Sequence, residues 1–168
     1  GRGPPPHALL CGSAANNDGG ARNTFASPSA DGQARVVAAA LADASLHSDA
    51  VDLVEAHGTA TAIGDPIEIA ALTQAYRRSA GAREPHGVAV GSVKSNIGHL
   101  GCASGAAGLI KVVMGFKHQC MPASLHFEKP SPYIDFASTP FRVNSSGQQW
   151  AAQSRPRRAG VSSFGMGG

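Results

Sequence analysis

The sequence predicts an α/β layered fold. Helix-period and strand-like stretches alternate through its middle, from about residue 31 to residue 117. The composition is 42% hydrophobic with 21 glycines and only 5% aromatic residues, which fits a Val/Ile/Leu/Ala core with close backbone contacts better than an aromatic-filled sandwich. At 168 residues and 15% charge, the chain is long enough for one domain with a real core.

Each element has a local reason. Residues 1–6 are Gly/Pro-rich and extended. His7 to Ala14 reads as a strand, and Asn16-Asn17-Asp18-Gly19-Gly20 as a turn of residues that tolerate positive φ. After a polar loop, a helix runs from Asp31 to about Leu46 with Val36, Val37, Ala40, Leu41 and Ala44 on one face. Val51-Asp52-Leu53-Val54-Glu55-Ala56 is a strand. Asp65-Pro66-Ile67-Glu68 opens a helix to about Arg78, with Asp65 suited to the cap and Pro66 to the first turn. Residues 88–93 form the central strand, followed by a polar turn. A helix over 102–117 contains Gly105 and Gly108. Glycine costs roughly 1 kcal/mol there relative to alanine, so these glycines, with Gly98 and Gly101, are read as packing positions. Short strands are expected at 141–144 and 159–164.

The net charge is +3 and the basic residues are scattered, apart from Arg155-Pro156-Arg157-Arg158. With few aromatics to stack on bases, nucleic acid is not an expected partner. No apolar run reaches the roughly 18 residues of a membrane span, and no charged-then-apolar leader opens the chain. Cys11, Cys102 and Cys120 form no CxxC pair, so reduced thiols in the cytoplasm are the expectation.

Two strands each end in a histidine with small polar neighbours: His57-Gly58-Thr59-Ala60-Thr61 after the first, and Lys94-Ser95-Asn96-Ile97-Gly98-His99 after the second. Strand ends of this kind present side chains to one crevice, which predicts a shared site. His7, His47, His86, His118 and His126 have no converging partners and are read as surface residues. A buried Lys94 needs an anionic partner, and Glu68 is the candidate. A zinc site from His57, His99 and Asp65 lacks any local ligand pair, so no metal is expected. The glycines after residue 97 match neither G-x-G-x-x-G nor G-x-x-x-x-G-K-[ST], which disfavours a nucleotide site.

Glu55 to Thr61 followed by Gly64-Asp65-Pro66-Ile67-Glu68 resembles the second active-site block of β-ketoacyl synthases, most closely the ketosynthase domains of modular type I polyketide synthases. Lys94 to His99 resembles their third block. Gly12 to Gly19 and Gly160 to Gly168 match in order, so the resemblance covers essentially the whole chain. It implies a thiolase-like fold (layered αβαβα), with residues 1–20 as the end of the first half and 21–168 as most of the second half, its final strand missing. The family's nucleophilic cysteine is expected upstream. Cys102, at a helix start, is read as buried and structural.

The resemblance also implies the chemistry. This is decarboxylative Claisen condensation of an acyl thioester with a malonyl-type extender on an acyl carrier protein. His57 and His99 would assist decarboxylation and stabilise the enolate, their second ring nitrogens held by backbone carbonyls. Lys94 and Glu68 would form an ion pair, with Asp65 and Asn96 in support. Thr59 and Thr61 would contact the phosphopantetheine arm carried by that protein, no cofactor being bound directly. Phe164 and Met166 would gate the acyl tunnel. The complete domain is expected to be a homodimer. Two departures stand out: Ala60 where glycine is usual, and Met166 where many relatives carry phenylalanine. The alternative is a non-catalytic truncated segment acting as a folding or interaction unit.

Overall fold

The computed structural model describes residues 5–19, 28–79 and 87–165. Helix α1 (Ala30–Asp43) starts at Ser29, whose side chain accepts the Gly32 N–H. Strand β1 (Leu53–Glu55) leads to helix α2 (Gly64–Ser79), and strand β2 (Val88–Gly91) to a one-turn helix α3 (Lys94–Ile97). A short 3-10 turn at Gly101–Ala103 runs into helix α4 (Ser104–His118). Strands β3 (Cys120–Met121), β4 (Phe141–Val143), β5 (Gln148–Gln149) and β6 (Ala159–Val161) complete the order.

The main sheet has the order β4-β2-β1-β6, and every pairing is parallel. Side chains alternate across a strand, and the two cores follow that alternation. Val54, Val88, Val90 and Phe141 pack with Ile69, Leu72 and Tyr76 of α2 and with Val37 and Leu41 of α1. Leu53 and Ala89 face the other way, onto Val112, Trp150 and Phe116. The sheet thus lies between α1/α2 and α4, and β1 and β2 are its inner strands. The strand expected at 159–164 is β6, and it is a sheet edge among the described residues.

Four expectations change. Residues 7–14 are not a strand: Leu9 and Leu10 are 79% and 81% exposed. An apolar extended segment becomes a strand only where a neighbour offers its hydrogen bonds, and none pairs with it among the described residues. The segment follows α1 instead. A Cβ on Gly12 would lie 2.4 Å from the Ala44 nitrogen, and the Ser13 N–H donates to Asp43 Oδ2 at 2.9 Å. The polar turn after β2 contains the helix α3.

Among the glycines, Gly105 and Gly108 are packing positions: a Cβ there would meet Ser163 Cβ at 3.2 Å and Glu55 Cγ at 3.1 Å. Gly98 (φ +74°) and Gly101 (φ +57°) instead supply left-handed backbone, with open space where a side chain would sit. Finally, Cys102 is exposed and not buried, as is Cys11. The basic cluster is partly internal, since Arg155 binds Asp52 at 2.6 Å and Arg157 donates to the Trp150 carbonyl at 2.7 Å.

Candidate active site

Both histidine segments leave the carboxyl ends of the adjacent parallel strands β1 and β2. This is where open α/β sheets gather functional groups. Residues 57–61 make a tight loop between β1 and α2. Left-handed residues Gly58 (φ +46°) and Ala60 (φ +59°) turn its N–H groups inward, toward two carboxylates of α2. Glu68 accepts the His57 and Gly58 N–H groups at 2.7 and 2.8 Å. Asp65 accepts the Ala60 N–H at 3.0 Å, and the Thr59 and Thr61 amides also stabilise its charge.

Asp65 is therefore not the cap of its own helix. Thr61 Oγ1 performs that task by accepting the Gly64 N–H at 3.0 Å, with Thr59 Oγ1 3.4 Å from it. A tight turn just before the helix lets Asp65 reach back to the loop. Glu68, near the start of α2, likewise serves the loop and not the helix terminus.

The His57 and His99 rings meet edge to face, with centroids 5.3 Å apart and planes at 84°. The sequence-predicted convergence is present. The Phe164 ring lies 5.8 Å from His57 on another side. The Phe164 N–H donates to His57 Nδ1 at 3.3 Å. The Gly101 N–H donates to His99 Nδ1 at 3.0 Å, and Ser104 Oγ lies at the same distance. A backbone N–H can only donate, so each Nδ1 accepts and each neutral ring carries its proton on Nε2. The expected carbonyl holders are replaced by N–H donors, which fix the opposite tautomer.

Burial lowers the His57 pKa from 6.5 to about 4, with smaller contributions from the charge of Lys94 and from His99. Burial raises Glu68 to about 7 against the pull of its two N–H donors. Burial lowers the Lys94 pKa, opposed by the charges of Glu68, Glu55 and Asp65. Lys94 and Glu68 feel each other but form no ion pair within 4.0 Å; the Glu68 oxygens are already taken by the loop.

The buried ion pair is a different one. Lys111 Nζ of α4 lies 2.7 Å from Glu55 Oε2 at the end of β1. Sequence reasoning missed this pair. The signal was a carboxylate at the end of the apolar run Leu53-Val54-Glu55-Ala56 and a lone ammonium in Leu109-Ile110-Lys111-Val112-Val113. Ser92 was missed too: its Oγ donates toward the His57 and Gly58 carbonyls at 3.5 and 3.3 Å, tying β2 to the loop.

Asn96 is exposed, and its Oδ1 accepts from Ser95 Oγ at 3.4 Å. Met166 lies outside the described residues. A cleft of about 500 Å³ between α2 and residues 133–139 takes in none of these side chains. No group of three or more potential metal ligands occurs among the described residues.

Residues 7–128 match the family described as Beta-ketoacyl synthase, C-terminal domain. The chain is 48% identical over 161 residues to a type I phenolphthiocerol synthesis polyketide synthase of Mycobacterium bovis, covering 96% of this chain and 8% of that protein. It is 48% identical over 166 residues to the erythronolide synthase EryA3 of Saccharopolyspora erythraea, covering 99% of this chain and 5% of that one. Among solved structures, the ketosynthase from module 1 of the bacillaene synthase of Bacillus amyloliquefaciens superposes with a TM-score of 0.89 at 40% identity, over 96% of this chain and 28% of that one. A second bacillaene ketosynthase of that organism gives 0.86 at 40% identity, over 91% and 27%. The chain thus spans under a tenth of these curated relatives and just over a quarter of the solved ketosynthases. It belongs to the β-ketoacyl synthase family, matches that family's C-terminal domain over residues 7–128, and carries the thiolase-like fold of the ketosynthases.

Proposed function

We propose that this chain supplies the two-histidine side of a polyketide ketosynthase site for decarboxylative Claisen condensation. The observation that supports this most is the pair of imidazoles 5.3 Å apart, each with a backbone N–H on Nδ1. That arrangement leaves Nε2–H as each ring's donor. Two such donors stabilise an enolate oxygen that bears charge only once the carboxylate has left. The extender's Cα–carboxylate bond breaks, CO₂ departs, and its electron pair forms the enolate. The enolate carbon attacks the acyl thioester and displaces the cysteine thiolate. That cysteine comes from a stretch other than these residues.

The remaining roles follow from position. Burial keeps the His57 ring a neutral donor, and the Lys94 charge adds to this by disfavouring a second positive charge beside it. Asp65 and Glu68 shape the loop that aims His57. Asn96 belongs to the short helix behind His99. Thr59 and Thr61 are exposed or half-buried at the loop and contact the phosphopantetheine arm of an acyl carrier protein. Phe164 lines the acyl approach, and Met166 follows it in sequence. The complete domain works as a homodimer.

The decisive experiment uses a complete ketosynthase domain carrying this sequence, with radiolabelled acyl thioester followed by malonyl carrier protein. Label on an upstream cysteine and then a β-ketoacyl product is the expected result. Product from the 168-residue chain alone, with label on Cys102 or Cys11, would overturn the division of the site.

A further inference from the structure

We propose that Glu55 and Lys111 are positioning residues of this site, a buried ion pair that holds both histidine segments in one arrangement. The inference rests on the function proposed above for its catalytic consequence, but not for its geometric one. Glu55 is 1% exposed and points to the α4 face of the sheet, as its spacing from Leu53 requires. Its two oxygens have different tasks. Oε2 takes the Lys111 ammonium, whose side chain is only 11% exposed. Oε1 accepts the Val93 N–H, the residue that opens α3.

One carboxylate thus joins three elements. Strand β1 continues two residues later into His57. Helix α3 carries Lys94 and leads to His99. Helix α4 carries Lys111 and, in its first turn, the Ser104 hydroxyl on His99 Nδ1. A glycine makes the room: a Cβ at Gly108 would sit 3.1 Å from Glu55 Cγ. Burying one charge without its partner is costly, so each group needs the other. A neutral Gln/Met pair of similar shape fills the same space, and its amide oxygen still accepts the Val93 N–H, but nothing ties α4 to that side chain.

That difference separates positioning from mere stability. In Glu55→Gln/Lys111→Met both charges go together, and the fold survives because no lone charge is left buried. NMR of the imidazole nitrogens in this chain reads the consequence. The wild type shows both rings as single Nε2–H tautomers. The double variant shows mixed tautomers at His99, with circular dichroism and Tm close to wild type. Unchanged tautomers in the folded double variant would overturn the proposal.

If the double variant fails to fold, Glu55→Asp takes its place. It keeps the charge but, one methylene shorter, cannot serve Lys111 and Val93 together. Wild-type tautomers there would equally overturn the proposal. In a complete ketosynthase domain, the double variant loses about 100-fold in kcat for malonyl decarboxylation with KM unchanged, the scale expected for a misplaced group. A wild-type kcat would overturn the catalytic part. A wild-type domain that does not decarboxylate would overturn the proposed function, while the tautomer result still decides the positioning pair.

Discussion

His57 and His99 arrive at the same point held by different means. His57 is half-buried, and its loop is shaped from a distance. Two carboxylates of α2, Ser92 just after β2 and the Phe164 amide all act on it, and Phe164 lies 107 residues away in sequence. His99 is exposed, and its Nδ1 is held within its own turn by Gly101 and Ser104. The left-handed glycines at 98 and 101 bend the chain so that it closes on itself. One donor is therefore a product of tertiary packing and the other of local turn chemistry. Damage to the packing around the loop should reach His57 first, whereas His99 should answer to its own turn and to the α3 and α4 segments that carry that turn.

The largest expected effect is on the packed side. Lys111→Met leaves the Glu55 carboxylate buried beside the start of α3 with no cation. Breaking a buried pair from one side costs about 3–5 kcal/mol. Chemical unfolding would read this directly. A loss under about 1 kcal/mol would mean that Glu55 relaxes toward solvent and that the two sides are less different than they look.

Next in size is catalysis. In a complete ketosynthase domain, His57→Ala and His99→Ala should each lower kcat for decarboxylation by about 10²–10³, the usual loss for one oxyanion donor. The contrast lies in neighbouring variants. Ser104→Ala should touch His99 alone, whereas Glu68→Gln should touch His57 alone. If Ser104→Ala shifts the His57 resonances as much as those of His99, the division fails.

Glu68→Gln also has a distinctive pH dependence. It replaces an acceptor of two loop N–H groups, and an unsatisfied buried donor costs about 1–3 kcal/mol. The Glu68 pKa rises from 4.5 to about 7 on burial, so the folded chain binds more protons than the unfolded one between those values. That contribution is complete below pH 4.5 and lost as pH rises through 7. The deficit of Glu68→Gln should therefore be largest below pH 4.5 and shrink to its smallest value as pH rises to about 7. His57 runs the other way. Its pKa falls from 6.5 to about 4, so its contribution is complete above 6.5 and lost as pH falls through 4. Histidine NMR should show His57 still neutral at pH 5.

Much of this was legible in the sequence. Strands β1 and β2 announced themselves by apolar runs, and the paired histidine motifs predicted their own convergence. What was hidden depended on three dimensions. The partner of Lys94 could not be read from its segment, because the loop amides had already claimed Glu68. Residues 7–14 have strand composition, yet strand formation belongs to a neighbour and not to the segment. The tautomers were misread because a carbonyl and an N–H are equally available in any loop. At His99 the left-handed glycine turn decides which one reaches Nδ1, and at His57 the distant Phe164 backbone decides it.

The smallest expected effect tests the His57 loop at one methyl group. Ala60 has φ +59°. A left-handed non-glycine residue is strained by roughly 1–2 kcal/mol. Ala60→Gly removes that strain but gives the unfolded chain more freedom, worth about 0.4–1 kcal/mol in the opposite direction. The net expectation is a gain of about 0.5 kcal/mol in urea unfolding. Gly58 shares the left-handed conformation, but a Cβ there would fall 2.8 Å from Ser92 Cβ. Gly58→Ala therefore combines backbone strain with a clash against Ser92, and a loss of about 2 kcal/mol is expected. Ala60 lies at the exposed end of the loop and Gly58 at its packed end. The opposite signs of the two changes would locate where local turn chemistry gives way to tertiary packing. A destabilised Ala60→Gly would place that boundary further out, with the Ala60 methyl itself part of the packed side.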